Sequence, residues 1–391
     1  MPFDNMIMGT LLILLVFLLA GSLLSLSSHP HWFIRTWDFP RVQIVVVAWM
    51  LVCCRFTLVW WFAVKPLFPD WPFWSIAIFL SGWHGFRIFP YTMLAARQSV
   101  ASQKAKNSDV LGGKRLKASQ DADPGSFRMV VSNVQMENHQ FDTWTQVMQE
   151  ANPDILVMLE PDQHWLDQIS AFIDQYEYQV LCPQDNWYGI AMISRLPIEN
   201  YKVRFLAQED IPSVDARIRL RNGECVRIVA VHPRPPEPIR DNDSDARDAE
   251  LTLWGLELAE DETPVVIGGD LNDVAWSQTT RLFLRTTGLL DPRRGRGFFN
   301  TFHANHRWMR FPLDHVFHSK HFTVSRLQRL QYVGSDHFPM LIELLYNPSR
   351  KSEHGVMTSK EGDDEAIQER LDHAEESDEC MSVASRRIVK P

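Results

Sequence analysis

Acid, amide and imidazole side chains recur in this 391-residue chain at one kind of place, the end of a short apolar run. Met129-Val130-Val131 leads to Ser132-Asn133, and Ile155 to Leu159 leads to Glu160. Ile228 to Val231 leads to His232-Pro233, and Val265 to Gly269 leads to Asp270-Leu271-Asn272. Two more pairs stand where an apolar run begins: Asp314-His315 after Pro312-Leu313, and Asp336-His337 after Gly334-Ser335. Strands lying side by side would bring these ends to one rim. Gathered carboxylates repel one another and need neutralising. A hard divalent cation with oxygen ligands does this. Mg2+ suits best, because it takes one or two carboxylates and leaves room for water and a phosphate. Mn2+ is the allowed substitute. The histidines do not have the spacing of an HExxH zinc site, and no Cys-x-x-Cys pair is present. One such cation, with acids and two histidines, suits attack of water on a phosphate ester.

Taken singly, each piece has a local explanation. Glu160 suits a cap on a helix starting beyond Pro161. Gly-Gly-Asp-Leu-Asn suits a turn with an Asx cap, and Asp336-His337 suits a turn. Asp314-His315 suits a buried hydrogen-bonded pair, and His232 a plain strand end. Capping alone does not place all of them at strand ends in this order.

Strands and helices must position these groups. Phe127–Val134, Tyr178–Cys182, Ile190–Ser194, Ala216–Leu220, Val226–Val231, Val265–Gly268, Leu313–His318 and Met340–Leu345 read as strands, as does the run ending at Glu160. Phe141–Ala151 and Ala246–Glu260 have helical spacing. Many short strands with few helices predict an α/β fold: a four-layer sandwich of two packed mixed sheets flanked by helices.

Residues 1–94 read as a helical transmembrane block with spans at 7–27, 42–64 and 73–94, the last interrupted by His84, Arg87 and Pro90. A cleaved signal peptide is disfavoured, because residues 1–6 carry no lysine or arginine. Arg55 lies near the middle of the second span, either as a lipid-headgroup or substrate contact inside the bundle or as a plain snorkelling or bundle-facing arginine. Residues 95–125 read as a basic flexible linker with Arg97, Lys104, Lys106, Lys114, Arg115 and Lys117. Residues 126–348 are the globular domain, and 349–391 read as a disordered charged tail. With three spans, the positive-inside rule puts the globular domain in the cytoplasm; a re-entrant third stretch would reverse this. Five cysteines, two of them adjacent, give no disulfide framework.

The specific segments are Gly268-Gly269-Asp270-Leu271-Asn272 and Ser335-Asp336-His337-Phe338-Pro339. With Ser132-Asn133-Val134, Leu159-Glu160, Tyr188 to Arg195, Val231-His232-Pro233 and Leu313-Asp314-His315, they occur in the order of the endonuclease/exonuclease/phosphatase superfamily, the DNase I-like fold, which the chain resembles. The amino-terminal block is similar to that of a group of bacterial membrane proteins carrying this domain. The resemblance implies that Glu160 is the main Mg2+ ligand, with Asn133 beside it and Asp336 as a second or water-mediated partner. It implies that Asp270 orients or deprotonates water and Asn272 hydrogen-bonds a phosphate oxygen. His337 would contact the phosphate, held by Asp314, and His232 would stabilise or protonate the leaving oxygen. Apurinic endonucleases of the superfamily carry a tyrosine where this chain has His232, and the basic motifs of the inositol phosphatase branch are missing.

Between residues 126 and 347 stand 21 basic and 31 acidic residues, a net of −10. Duplex DNA binders show a basic footprint, so nucleic acid is not favoured. The loop with Arg293, Arg294 and Arg296, together with Trp308 and Arg310, is the candidate substrate contact. The reading is a membrane-anchored Mg2+-dependent phosphodiesterase or phosphatase, with membrane lipids as partners and a lipid headgroup or nucleic acid as substrate. The rival is a non-catalytic domain of the same fold that binds lipid or a protein.

Overall fold

The computed structural model describes residues 2–62, 64, 68–102, 123–236, 243–377, 380 and 387–389. One sheet contains β1 (Ser126–Asn133), β2 (Ile155–Leu159), β3 (Tyr178–Cys182), β4 (Ile190–Ser194), β10 (Phe322–Arg329) and β11 (Met340–Tyr346), in the order β10-β11-β1-β2-β4-β3. The other contains β5 (Ile198–Phe205), β6 (Ser213–Arg219), β7 (Cys225–Val231), β8 (Val265–Asp270), β9 (Asp314–His318) and β12 (Arg387–Val389), in the order β12-β5-β6-β7-β8-β9.

The two sheets pack face to face through Met129, Val131, Val157, Ile228 and Val266. Alternate residues point the other way. Val130, Leu156 and Met158 meet Trp144 of α5 (Phe141–Ala151), Trp165 of α6 (Gln163–Gln168) and Phe172 of α7 (Ser170–Ile173). Val229 and Ile267 meet Trp254 of α8 (Asp245–Ala259) and Phe283 of α9 (Gln278–Thr287). This is the four-layer sandwich. Its central strands are apolar on both faces because both faces are covered. The charged strands β5 and β10 were not legible as apolar runs; their exposed positions tolerate Glu, Lys and Arg.

Register places the polar ends. Parallel β1 and β2 set Asn133 beside Leu159, next to Glu160. Parallel β7 and β8 set Val231 beside Gly269, so His232 borders Asp270. Antiparallel β8 and β9 set Asp270 directly opposite Asp314. At Gly269 a Cβ would lie 1.8 Å from the Val231 carbonyl oxygen, so only glycine lets β8 approach β7 there.

Three helices, α1 (Pro2–Leu24), α3 (Arg41–Trp60) and α4 (Trp71–Ile88), pack through Leu15, Ala48, Val52, Phe73, Ala77 and Leu80, with the short α2 (Trp32–Thr36) between the first two. Two of them are long and apolar enough to cross a membrane, at Asn5–Leu24 and Arg41–Trp60. α4, expected as a third span, is 18 residues long and falls short of that apolarity among the described helices. Arg55 sits one and a half turns from the end of α3 and reaches Asp70 (2.7 Å) and the Phe68 carbonyl (2.6 Å) beyond that end. At the opposite end of the bundle, Ser22 Oγ lies 2.9 Å from His84 Nε2, and His84 Nδ1 lies 3.3 Å from Arg41, which pairs with Asp38. There the bundle meets the sandwich: Trp276 donates to the Asp38 carbonyl (2.7 Å), Tyr91 to the Ala275 carbonyl (2.5 Å) and Gln278 to the Ser25 carbonyl (2.7 Å).

Two expectations are corrected. The segment 349–391 is not uniformly disordered, since α10 (Asp363–Glu376) packs on α8. Its charged, aromatic-free composition hides an apolar stripe, Ile367, Leu371 and Ala374, and Arg285 holds Asp363 at 2.6 Å. The start of the expected flexible linker is also tied down. Ser99 Oγ meets His318 Nε2 (2.7 Å), Gln98 accepts from the Asp291 amide (2.9 Å) and the Ser102 amide donates to Val324 (2.9 Å). Lys104, Lys106, Lys114, Arg115 and Lys117 lie outside the described residues.

Replacing Gly269 with alanine is expected to destabilise the domain by about 1–3 kcal/mol through overpacking; thermal unfolding of the full chain in detergent checks this. Arg285→Ala is expected to raise amide exchange in Asp363–Glu376 and leave the sheets protected, read by hydrogen exchange with mass spectrometry. Hydrogen bonds from Arg285 hold the Asp363 carboxyl below its ordinary 3.8. The pairing therefore stabilises α10 above that pH and is lost as pH falls through the lowered value.

Candidate active site

The eight expected rim residues converge on one cavity of about 770 Å³ or its immediate wall. Glu160, His232, Asp270, Asn272, Asp336 and His337 line it, while Asn133 and Asp314 stand directly behind Glu160 and His337.

Asp270 and Asp314 are cross-strand neighbours, an arrangement that like charges destabilise. His337 relieves it. Its Nδ1 lies 2.7 Å from Asp314 Oδ2 and its Nε2 lies 3.4 Å from Asp270 Oδ2. Burial by itself would lower this imidazole, but Asp314 and Asp270 outweigh it and hold the group up at about 10. His337 is therefore a cation at neutral pH. His232 behaves oppositely: burial drives it down to about 4 against the pull of Asp270, with His337 adding to the fall. It is neutral, with Nε2 3.8 Å from Glu160 and 3.9 Å from Asp270. Its Nδ1 is buried without a hydrogen-bond partner.

From the facing sheet, Asn133 donates to Glu160 Oε1 (2.7 Å) and to Asp270 Oδ2 (3.3 Å). Burial pushes the Glu160 carboxyl up to about 8; the Asn133 hydrogen bond and His337 oppose this, and Asp336 and Asp270 add to it. A carboxyl in this surrounding ionises readily only when a further cation joins it, which is the condition a divalent ion supplies. Asp270, Asp314 and His337 also present ligand atoms within 4.8 Å of one another. The His337–Asp314 hydrogen bond and the His337–Asp270 ion pair already satisfy these three, and the oxygen donors Glu160, Asn133 and Asp336 fit a hard cation better. Asn272 donates its backbone amide to Asp270 Oδ1 (2.9 Å) and its side-chain amide to the Pro233 carbonyl (3.0 Å).

Four of the six non-glycine residues with positive φ among the described residues stand at this rim: Gln135, Glu160, Trp187 and Asn272. Such strain gathers where a side chain must be aimed. Gln135 fixes Asp336 by accepting from its amide (2.9 Å).

Three of the expected substrate contacts lie outside the cavity lining. Arg293 is buried, paired with Asp291 (2.8 Å) and bonded to His315 (2.5 Å), so it braces β9 from behind. Arg294 turns to Met357 and stacks over Tyr91. Arg310 holds the Ala304 carbonyl (2.8 Å) and covers Phe338. Trp308 does line the cavity. Unforeseen wall residues are Trp187, Phe302 and, from the helical block, Thr36, Phe39, Pro40 and Gln43. Nothing in the linear order signals the last four; Tyr188 belongs to a matching segment but carried no role.

A sandwich of this topology with acids and imidazoles on one rim defines a DNase I-like domain. Residues 130–337 match the model of the Endonuclease/Exonuclease/phosphatase family. The chain belongs to that family and is a hydrolase of phosphate-ester bonds. Similar solved structures include an endonuclease/exonuclease/phosphatase from Beutenbergia cavernae (16% identity, 57% of this chain and 72% of that chain, TM-score 0.47). They also include the human Nocturnin catalytic domain (16%, 57% and 95%, TM-score 0.47) and a Bacteroides thetaiotaomicron mannosyl-6-phosphatase (16%, 56% and 100%, TM-score 0.45). A search of curated proteins finds no match.

Asp314→Asn removes the charge that most raises His337. The imidazole is expected to titrate below its present value of about 10, which NMR of histidine-labelled full chain checks.

Proposed function

We propose that the protein is a membrane-anchored, divalent-cation-dependent phosphoesterase. The observation carrying this is the single hollow in which Asp270, protonated His337 and Glu160 meet. Glu160, Asn133 and Asp336 would hold Mg2+, with Mn2+ as substitute. The bound cation would offset charge on a phosphate oxygen.

The chain's own residues supply the rest. Asp270 accepts the proton of the water that attacks phosphorus. Asn272 and the His337 imidazolium hydrogen-bond the phosphoryl oxygens as their charge grows. Asp314 orients His337 through Nδ1 and balances its charge. Neutral His232, aimed between Glu160 and Asp270, faces the leaving oxygen. The ester P–O bond breaks as the water oxygen bonds to phosphorus; Asp270 keeps the proton of the water, and the leaving oxygen, hydrogen-bonded by neutral His232, takes its proton from solvent.

Anchoring is supported by the outward faces of α1 and α3. Ile13, Phe17, Met50 and Phe56 are exposed there, and most of both helices is uncovered. Apolar surface of that extent is unfavourable in water and favourable in a bilayer. The bundle end carrying Ser25, Asp38 and Tyr91 faces the sandwich, so the catalytic domain sits at one membrane surface. The cytoplasmic face remains the proposal, from the placement of lysine and arginine.

With bis-p-nitrophenyl phosphate, Glu160→Ala and Asp270→Ala are each expected to lower kcat/KM by about 10²–10⁴-fold. EDTA should abolish turnover and Mg2+ restore it. Undiminished hydrolysis by both variants would refute the assigned site.

A further inference from the structure

We infer that residues 36–43, the turn between the two membrane-crossing helices, form a substrate wall of the catalytic cavity, and that the substrate is a lipid phosphate ester drawn from the bilayer. This rests on the phosphoesterase reading and specifies its substrate.

The cavity has two unlike sides. The acids and imidazoles occupy one. Next to them the Phe302 ring lies 4.9 Å from the His337 ring. From Phe302 the lining runs through Phe311 to Phe39, whose ring is 5.5 Å from that of Phe311, and out to Trp308 and Met309. Phe39 and Pro40 immediately precede α3, and Gln43 in its first turn donates to the Trp308 carbonyl (2.5 Å). The catalytic cavity thus ends where a 20-residue apolar helix begins.

At its mouth, Trp308 is 71% and Met309 55% exposed, beside exposed Arg307. Just after α4, Phe89, Met93 and Leu94 are exposed as well. Exposed tryptophan and methionine beside an arginine suit the boundary between headgroups and acyl chains. A volume of about 770 Å³ admits a phosphorylated headgroup and the first part of an aliphatic chain. The apolar wall offers few hydrogen-bond partners to a sugar. The domain's net charge of −10 between residues 126 and 347 leaves no basic track for a polynucleotide. An amphiphile matches both sides: its phosphate against Asp270 and His337, its chain over Phe302, Phe311 and Phe39, leaving past Trp308 into the membrane.

The test uses the full chain in nanodiscs or mixed micelles with two matched pairs, dioleoyl phosphatidic acid against glycerol 3-phosphate, and dioleoyl phosphatidylglycerol against glycerophosphoglycerol. In at least one pair the acylated ester should show a kcat/KM tenfold or more above its water-soluble partner. Phe39→Ala and Trp308→Ala should each cut that ratio at least fivefold. A ratio near one, with bis-p-nitrophenyl phosphate still hydrolysed, overturns the lipid wall and leaves the phosphoesterase reading standing. A binding readout independent of turnover uses Asp270→Asn and a phosphatidic acid bearing a diazirine in its acyl chain. Label should fall on peptides containing Phe39 and Phe302 and be competed by dioleoyl phosphatidic acid, not by dioleoylglycerol. Label spread over the outer faces of α1 and α3 alone, indifferent to competition, overturns the proposal. Specific labelling without hydrolysis of any ester would uphold the lipid site and count against the phosphoesterase reading.

Discussion

Two carboxylates held opposite each other across a buried strand pair set the central constraint of this protein. Asp270 and Asp314 cannot separate, because the β8–β9 register fixes them. Their repulsion is tolerable only with a positive charge between them, and His337 provides it, 2.7 Å from one and 3.4 Å from the other. Burial, with Asp336 and Asp270 adding to it, leaves Glu160 on the facing sheet resistant to ionisation. A site with one imidazolium and several acids is thereby poised to accept a further cation. Catalytic potential and electrostatic instability have a common origin here.

The surroundings hold this arrangement rigid. Behind the rim, buried Arg247 bonds Asp248 (2.8 Å) and the Asn272 carbonyl (3.0 Å), and Arg293 bonds Asp291 and His315. Both arginines fix backbone or a neighbouring ring and stand outside the cavity lining. Buried ion pairs add little net stability, since desolvation offsets attraction, but removing one partner is costly. Their effect is positional. The left-handed backbone at Glu160 and Asn272 is held against its own preference by the apolar sandwich on either side.

The helical block is joined to this machinery and does more than tether it. Trp276, six residues beyond Asp270 in the loop after β8, donates to the Asp38 carbonyl, and Asp38 pairs with Arg41 at the start of α3. That network of side chains and the Gln43–Trp308 hydrogen bond make the first turn of α3 part of the cavity's frame. α10 reinforces the outer layer on the far side, through Arg285 and Asp363. Its contact was hidden because Ile367, Leu371 and Ala374 are three small or medium apolar residues in a strongly charged stretch.

The sequence by itself determined the apolar strands, the layers and the inventory of reactive groups. Apolar runs of five to eight residues in β1, β2, β7 and β8 report burial on both faces, and burial is a local property of composition. Asn133, Glu160, His232, Asp270 and His337 were legible because polar groups end those runs. What only the tertiary structure decided was which charges remain available. Arg293 and Arg294 are as basic in sequence as any phosphate ligand, yet pairing with Asp291 and contact with Met357 remove them from the cavity. Opposite protonation of His232 and His337 likewise depends on neighbours far away in sequence. So does the entry of Phe39 and Gln43 into the cavity, more than two hundred residues before Asp270. Periodicity and composition report what each segment needs covered, whereas proximity between distant segments is set by how the covered surfaces fit.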